Sequence, residues 1–446
     1  MFRQILIDPK HIDYQRILYK YSEGKFCAYQ LLTVTYGTAC APYLANRVIK
    51  KLAQDEGMNF PLAKSIIEED IYVDDVFFGG DDLVTAKKTK DQVSYLMMSG
   101  GLHLRKWASN NKSLLSGCIS EKHEKALDKE SAENSPLKVL GLGWDPTSDC
   151  FRIGVSLDSI EIPTKRTVLS VIAKLYNPLG WISLVIVTAK LIMQELWLRK
   201  LNCDEKLPND LMKQWFEYYN QLEVLKNLEI PRWIGAVMKN SNSDLHGFAD
   251  ASNQAYAANV YLRVVDELNK VHVTLLISKS RIAPITSVSI PRLELCAAVL
   301  LSRIMKFVLE TLKMQSLPHY CYTESCVVLA WLDKHPSHWK PFVANRVALI
   351  DELIPKAKWL HVSANNNASD CASRGLLLMD IMGNSLWWGG PDWLSQKSSK
   401  MEKFTLESTD LEKKAIKSHC VQVERNFHHG LNYYVLWLTV FDSLIN

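Results

Sequence analysis

Two aspartates, Asp74 and Asp75, stand side by side in the run IYVDDVFFGG at 71–80, and four more acids, Asp250, Glu294, Glu324 and Asp370, punctuate the segment 240–375. Charges set among apolar residues are costly to bury unless something uses them. Carboxylates are what hard divalent cations take as ligands, and two such ions about 4 Å apart can clamp both the attacking and the leaving oxygen of a phosphodiester. The chemistry open to these acids is therefore phosphoryl transfer with Mg²⁺ or Mn²⁺ in a two-metal site, provided that folding gathers them. Taken singly, each is more simply a solvated or capping residue, since acids are mostly exposed. Asp250 fits that description least, because it follows Gly247-Phe248-Ala249 in a run that reads as a central strand.

Positioning falls to the elements around them. The segment from about Arg232 to Gly375 opens with three strand-like runs, LHGFADAS, AYAANVYLR and HVTLLISKS, separated by polar turns. A long helix through SIPRLELCAAVLLSRIMKFVLETL has Pro291 near its start, which places Glu294 in its first turn. A strand HYCYT, helices through CVVLAWLDK and FVANRVALIDELI, a strand KWLHVSA and a short helix around ASDCASRG complete the segment. Three strands followed by alternating helices and strands describe an α/β domain on a mixed five-stranded sheet. Where neighbouring strands run parallel, strand ends and helix starts converge on one edge, so Asp250, Glu294, Glu324 and Asp370 are expected to cluster there. His361, inside the WLHVS strand, reads as a packed or edge histidine rather than a general base.

A chain of 446 residues calls for two or three domains. Residues 121–136, EKHEKALDKESAENSP, read as a surface excursion, and VLGLGWD (139–145) and FRIGVSL (151–157) as two strands joined by PTSD. Thr164 to Leu228 is helical in period with a stop near Pro178, and the tail holds Trp-rich loops, a charged run and a final apolar segment. With 52 Lys+Arg against 48 Asp+Glu the net charge is only +4, so a nucleic-acid partner has to be held by local basic patches. The apolar stretch 179–193 is broken by Lys190 and suits a core helix better than a span of about 20 apolar residues, so no membrane partner is expected. Ten scattered cysteines, with no C-x-x-C pair and no apolar leader in MFRQILIDPKH, fit an intracellular, reduced protein. His419, Cys420, His428 and His429 are metal ligands by type, but their spacing matches no zinc pattern.

The order FADAS, IPRLELCAA, YTESCVVLAWL, WLHVSANNNASDCASRG resembles the ribonuclease H domain of Pao-type (Bel/Pao) LTR retrotransposon Pol polyproteins. The resemblance implies a two-metal site of Asp250, Glu294, Glu324 and Asp370 that hydrolyses the RNA strand of an RNA–DNA hybrid. Its third position departs from the family, with TES at 323–325 where TDS is expected. One extra methylene displaces a carboxylate by about 1 Å, enough to lower turnover. The likeness extends to the first half. YVDD resembles the reverse-transcriptase hairpin that lifts paired aspartates, here Asp74 and Asp75, to the palm surface. TVTYGTACAPYLANR (33–47), with Tyr36 and Gly37, is similar to the template-contacting segment, and VLGLGW (139–144) to the primer-gripping strand. GGLHLRKWASN (100–110) brings Arg105 and Lys106 toward phosphates, Lys106 as a phosphate-binding or exposed lysine rather than a proton donor. MFRQI resembles the end of the stretch whose aromatic, here Phe2, excludes a ribonucleotide 2′-hydroxyl.

In that stretch the first catalytic Asp lies five residues before the aromatic and would precede Met1, while Asp8, beside Pro9, reads as a turn residue. The resemblance thus implies an α/β and α+β multidomain Pol fragment. Its parts are a partial palm over 1–157 without fingers or the first catalytic Asp, a helical thumb or connection over 158–231, a ribonuclease H-like domain over 232–376 and a tail over 377–446. It would be unable to polymerise alone but would act as a nuclease, in a cytoplasmic particle or the nucleus. Its partners would be an RNA–DNA hybrid or primer–template and other Pol segments such as fingers and integrase. The alternatives are a catalytically dead nucleic-acid-binding fragment and an aspartic peptidase. The second is disfavoured because DSI (158–160) and DSL (442–444) lack the glycine of a D-[ST]-G turn.

Overall fold

The computed structural model describes residues 1–116, 137–157, 162–235, 242–375, 378–397, 405 and 408–414. The chain begins with a hairpin of β1 (Arg16–Lys20) and β2 (Phe26–Gln30), exposed at every residue. Helices α1 (Ala41–Glu56) and α2 (Pro61–Glu69) each carry Pro in the first turn, where its missing N–H has no partner to lose. A minimal hairpin follows, β3 (Ile71–Tyr72) and β4 (Asp75–Val76), and then α3 (Leu83–Ser99), capped by the Asp82 carboxylate on the Thr85 amide. The three helices close on Ile49, Ala53, Ile67, Val93 and Leu96.

The run VLGLGWD is not one strand. Leu140 and Gly141 both take positive φ, 49° and 89°, and reverse the chain between β5 (Leu137–Val139) and β6 (Leu142–Asp145). FRIGVSL holds the ladder only as far as Arg152, in β7 (Cys150–Arg152). The helical stretch contains α4 (Lys165–Lys174), entered through a capping box of Thr164 and Thr167, then α5 (Ser183–Leu198) and α6 (Asn209–Gln221). After them β8 (Glu229–Pro231) pairs with β7 and completes a four-stranded antiparallel sheet. The apolar stretch before Gln194 is the core helix α5, and no helix among the described residues is long and apolar enough to cross a membrane.

Strands β9 (Asn242–Ala251), β10 (Ala255–Val265) and β11 (Val271–Ile282) form an antiparallel meander. Helix α7 (Ile290–Thr311) crosses back to β12 (His319–Thr323), which runs parallel to β9. Helices α8 (Cys326–Leu332) and α9 (Pro341–Leu353) lead to β13 (Lys358–His361), parallel to β12, and α10 (Asp370–Arg374) and α11 (Ser385–Gly389) follow. The sheet order is β11-β10-β9-β12-β13, the mixed five-stranded arrangement expected. Helix α7 lies so close to β9 that a Cβ at Gly247 would stand 2.5 Å from Leu301 Cδ1 and 2.9 Å from Met305 Cε.

One sheet face is covered by α7, α8 and α9, around Leu245, Val260, Leu301, Trp331 and Val347. On the other face Phe248, Tyr261 and Tyr322 join one continuous core with Leu184, Trp215, Ile230, Trp387 and Leu394. The helices before the sheet and the Trp-rich segment after it therefore share a core with the sheet itself. Trp387 Nε1 donates to the Trp181 carbonyl at 2.9 Å, and Trp181 Nε1 to the Leu275 carbonyl at 3.2 Å. At Gly180, with φ 76°, a Cβ would fall 1.6 Å from the Ser278 carbonyl oxygen, so the turn before α5 lies directly on edge strand β11. There the Ser278 amide donates to the Leu179 carbonyl, which covers part of that edge. The excursion 121–136 and His419, Cys420, His428 and His429 lie outside the described residues.

Candidate active site

Asp250 is the penultimate residue of β9, the central strand, and is fully buried. Glu294 lies one turn deeper in its helix than expected. Ser289 is the N-cap, so α7 starts at Ile290 and Glu294 falls in the second turn, only 3% exposed. Glu324 follows the last residue of β12 and is half-buried. The parallel pairing that sets Thr323 opposite Ala249 carries Glu324 to the same sheet edge as Asp250. One carboxylate oxygen of each acid lies within 4.8 Å of those of the other two. The extra methylene at position 324 does not hold the carboxylate away from the group; its length is compatible with reaching it.

Asp370 begins α10 and is ion-paired with Arg374 one turn on, outside the three-acid group. Its charge still acts on both Asp250 and Glu294. Asp250 is held from the α10 side: Oδ1 accepts from Asn367 Nδ2 at 3.3 Å and Oδ2 from the Ser373 hydroxyl. Asn367 Nδ2 also reaches the Ala249 carbonyl at 3.2 Å, while the Ser369 hydroxyl donates to the Phe248 carbonyl at 2.8 Å and bonds to Asn259. These supporting residues, all buried, were missed in the sequence. The signal was a run, NNNASDCAS, too rich in Asn and Ser for an ordinary helix, together with Asn259 in the apolar and aromatic run AYAANVYL.

Burial lifts the Asp250 carboxyl to about 7 against the opposing Ser373 hydrogen bond, and the charges of Glu324 and Asp370 add to the rise. Burial lifts Glu294 further, to about 9, with Asp250 and Glu324 adding to it. Glu294 Oε2 is buried with no hydrogen-bond partner. An unpaired buried acceptor and three crowded carboxylates are each unfavourable alone. A hard divalent cation answers both, since it supplies the charge and takes the orphan oxygen, so the residues present fit one. Among the described residues no other group of three or more His, Cys, Asp or Glu converges in this way.

Asp74 and Asp75 are exposed, so the burial cost that singles them out in the sequence does not arise. Asp74 forms the chain reversal of the β3–β4 hairpin together with Val73, and Asp75 opens β4; β-branched Val73 takes φ 57°, a strained conformation for such a residue. No third acid joins them among the described residues: Asp8 accepts from the Lys10 amide at 2.9 Å, and Asp13 is held by Arg16 and Gln30. Phe2 packs half-buried beside Ile5, and the exposed Tyr36 accepts from Arg3 Nη2 at 3.3 Å. Gly37 takes φ 91°, and Arg105 and Lys106 are exposed, Lys106 with φ 61°. None of them enters the three-acid group. His361 closes β13 opposite Thr323, half-buried as a packed strand residue.

Residues 164–325 match the family model described as the Pao retrotransposon-like RNaseH-like domain. The match takes in Asp250, Glu294 and Glu324 and ends before Asp370. No curated protein matches the chain. Among solved structures, LC11-RNase H1 isolated from compost is similar at 13% identity over 29% of this chain and 91% of its own, with a TM-score of 0.22. The foamy viral protease-reverse transcriptase in complex with an RNA/DNA hybrid is similar at 12% identity over 81% of this chain, with a TM-score of 0.44. This chain spans 43% of that protein's length. The N-terminal RNase H domain of a Mycobacterium tuberculosis protein is similar at 12% identity over 32% of this chain and 95% of its own, with a TM-score of 0.22. With its mixed five-stranded sheet and the acids of β9, α7 and the end of β12, the chain carries a Pao retrotransposon-like RNase H-like domain.

Proposed function

We propose that the chain is part of a retrotransposon Pol polyprotein and hydrolyses the RNA strand of RNA–DNA hybrids. The observation that supports this most is the convergence of Asp250, Glu294 and Glu324 within 4.8 Å, with Glu294 Oε2 buried and unpartnered. These three would hold Mg²⁺ or Mn²⁺, and ions bound there supply charge at the attacking and leaving oxygens of a phosphodiester. The chain's own contribution is orientation. Asn367 and Ser373 each fix one Asp250 oxygen, which keeps that carboxylate from turning away. Arg374, whose charge acts on Asp250 and Glu324 as well as on its partner Asp370, balances the acids before a cation arrives.

The test uses the full chain, because a piece cut at 232–376 would lose the core shared with α5, α6 and Trp387. An RNA–DNA hybrid labelled on each strand should lose only its RNA strand, in Mg²⁺ or Mn²⁺, and Asp250→Asn should stop the reaction. Cleavage equal in wild type and Asp250→Asn would overturn the proposal. Hybrid binding without any cleavage would leave the binding fragment as the surviving account. The Asp74–Asp75 pair has no third acid among the described residues, and we propose that the chain does not polymerise by itself. Templated primer extension abolished by Asp74→Asn would refute that.

A further inference from the structure

We infer that residues 410–414 of the tail form a strap whose Glu412 is a positioning residue for the Glu294 carboxylate, an inference that rests on the nuclease reading. The strap lies well beyond residue 325, where the family match ends. It is laid antiparallel on the entry to α9. The Lys340 amide donates to the Glu412 carbonyl and the Lys414 amide to the His338 carbonyl, both at 2.8 Å, and Trp339 and Lys413 are bridge partners. The fully buried Trp331 donates its indole N–H to the Leu411 carbonyl at 2.9 Å. The backbone of the strap is thus fixed before any of its side chains is considered.

From that backbone Glu412 reaches across to the first turn of α7. Its Oε1 accepts from Arg292 Nε at 2.8 Å and lies 2.5 Å from Nη2, so two donors of the guanidinium fork meet one oxygen. The Glu412 side chain is only 13% exposed, and Oε2 is buried with no hydrogen-bond partner. A carboxylate carried so far out of water leaves a desolvated charge behind if its pair is broken, whereas a fully exposed pair would matter little. The Arg292 guanidinium also lies over the Phe342 ring of α9 at 4.8 Å. Neither helix start has a side-chain cap of its own, since Ser289 and Lys340 make no capping hydrogen bond. The strap therefore ties together two helix ends that nothing local secures.

Glu294 is the acid that needs such an anchor. Asp250 ends and Glu324 follows two neighbouring strands, and the β9–β12 ladder fixes one against the other. Glu294 depends instead on where α7 begins. That helix is seated tightly at Leu301 and Met305, about two and three turns further on, while its start rests on a small cluster of Ala251, Ala283 and Leu293. Arg292 and Glu294 are two residues apart, about 200° around the helix, so Arg292 is gripped on one side of the turn while Glu294 meets the acids on the other. A displacement of about 1 Å there is enough to misplace a ligand. A bound cation draws its ligands into place, so a loosened turn should cost metal affinity before it costs the rate at saturating metal.

The experiment titrates the full chain with Mg²⁺ alone, by calorimetry, and then follows hybrid cleavage over a Mg²⁺ series. Glu412→Ala should weaken Mg²⁺ binding about tenfold and move the Mg²⁺ midpoint of cleavage by the same factor, with the KM for hybrid and the rate at saturating Mg²⁺ within about twofold of wild type. Glu412→Gln, of nearly the same shape, should shift both in the same direction by less, and it carries the test where Glu412→Ala does not fold. Arg292→Ala should match Glu412→Ala, and the double variant should be no worse than either, because both act through one pair. Asp410→Asn, whose exposed carboxylate pairs with Lys413 on the strap itself, should change nothing. Wild-type Mg²⁺ affinity in folded Glu412 variants would overturn the inference. So would additive losses from Arg292→Ala and Glu412→Ala, or a lower thermal midpoint in chelator with an unmoved Mg²⁺ midpoint, which would mark a strap that only stabilises the fold. Mg²⁺ binding weakened by Glu412→Ala in a chain that cleaves no hybrid would sink the nuclease reading and leave the role of the strap standing. Asp250-dependent cleavage with an unmoved Mg²⁺ midpoint would sink only the role of the strap.

Discussion

Replacing Glu294 by Gln isolates the cost of placing that carboxyl where it is. In the unfolded chain the group titrates near its ordinary 4.5, whereas in the metal-free fold it is lifted to about 9, first by burial and then by Asp250 and Glu324. Between those values the folded state keeps a proton that the unfolded state has released. Folding stability therefore falls as pH rises, by about 1.36 kcal/mol per unit. From pH 5 to pH 8 that amounts to about 4 kcal/mol from Glu294 alone. Asp250, lifted from 3.8 to about 7, steepens the fall at the acidic end of the range. Gln has nearly the same shape and no titration, so Glu294→Gln should gain about 4 kcal/mol on wild type between pH 5 and 8. At about 2–4 °C per kcal/mol for a domain of this order, the gain is roughly 10 °C in thermal midpoint.

The assay is thermal unfolding at intervals from pH 5 to 8, with chelator and again with Mg²⁺. Without metal, the wild-type midpoint should drop relative to the variant as pH rises. Mg²⁺ at pH 8 should raise the wild-type midpoint, since a ligand that binds only the folded state stabilises it by mass action, and should raise the variant's less. Parallel midpoint curves for the two proteins, or a variant less stable than wild type in chelator at pH 8, would refute the reasoning.

Three further outcomes follow from the same geometry. Glu324→Asp withdraws a carboxylate from a group it now reaches, and Mg²⁺-dependent hybrid cleavage should fall about tenfold, or about 1.4 kcal/mol of barrier; a faster variant would show that the shorter acid suits this backbone better. Ser373→Ala removes the hydrogen bond that opposes the rise of Asp250, so the acid limb of the pH–rate profile should move to higher pH, and an unmoved limb would mean that Asp250 does not set it. Gly247→Ala puts a methyl group 2.5 Å from Leu301 Cδ1 and should cost about 1–3 kcal/mol, read from chemical unfolding; no loss would mean that α7 gives way at no cost.

What could be read from the sequence was what local chemistry determines. The runs LHGFADAS, AYAANVYLR and HVTLLISKS became β9, β10 and β11 because alternation and β-branching are properties of neighbours along the chain. Pro291 announced α7, and only the count within it slipped, because a start at Ile290 puts Glu294 just past the first turn. The failures came from partners distant in sequence. Nothing near Trp387 indicates that its indole reaches the Trp181 carbonyl, so the Trp-rich segment read as loops although it completes the core. Asp74 and Asp75 erred in the opposite sense. Their apolar neighbours suggested burial, but a two-residue reversal at Val73 and Asp74 turns both carboxylates to solvent.

The same distinction explains which part of the site was visible. A carboxylate inside an apolar strand has no local means of satisfying itself, so Asp250 called for a function from its position alone. Asn and Ser carry no such demand. They serve turns and caps as readily as buried hydrogen bonds, and only the folded chain shows that Asn367 and Ser373 are spent on Asp250 oxygens. Their distance from Asp250, 117 and 123 residues along the chain, also separates two kinds of defect. Loss of an acid removes a ligand outright. Loss of Asn367 or Ser373 leaves the ligand and releases its orientation, so it should alter the pH dependence and metal preference of the site before it abolishes turnover.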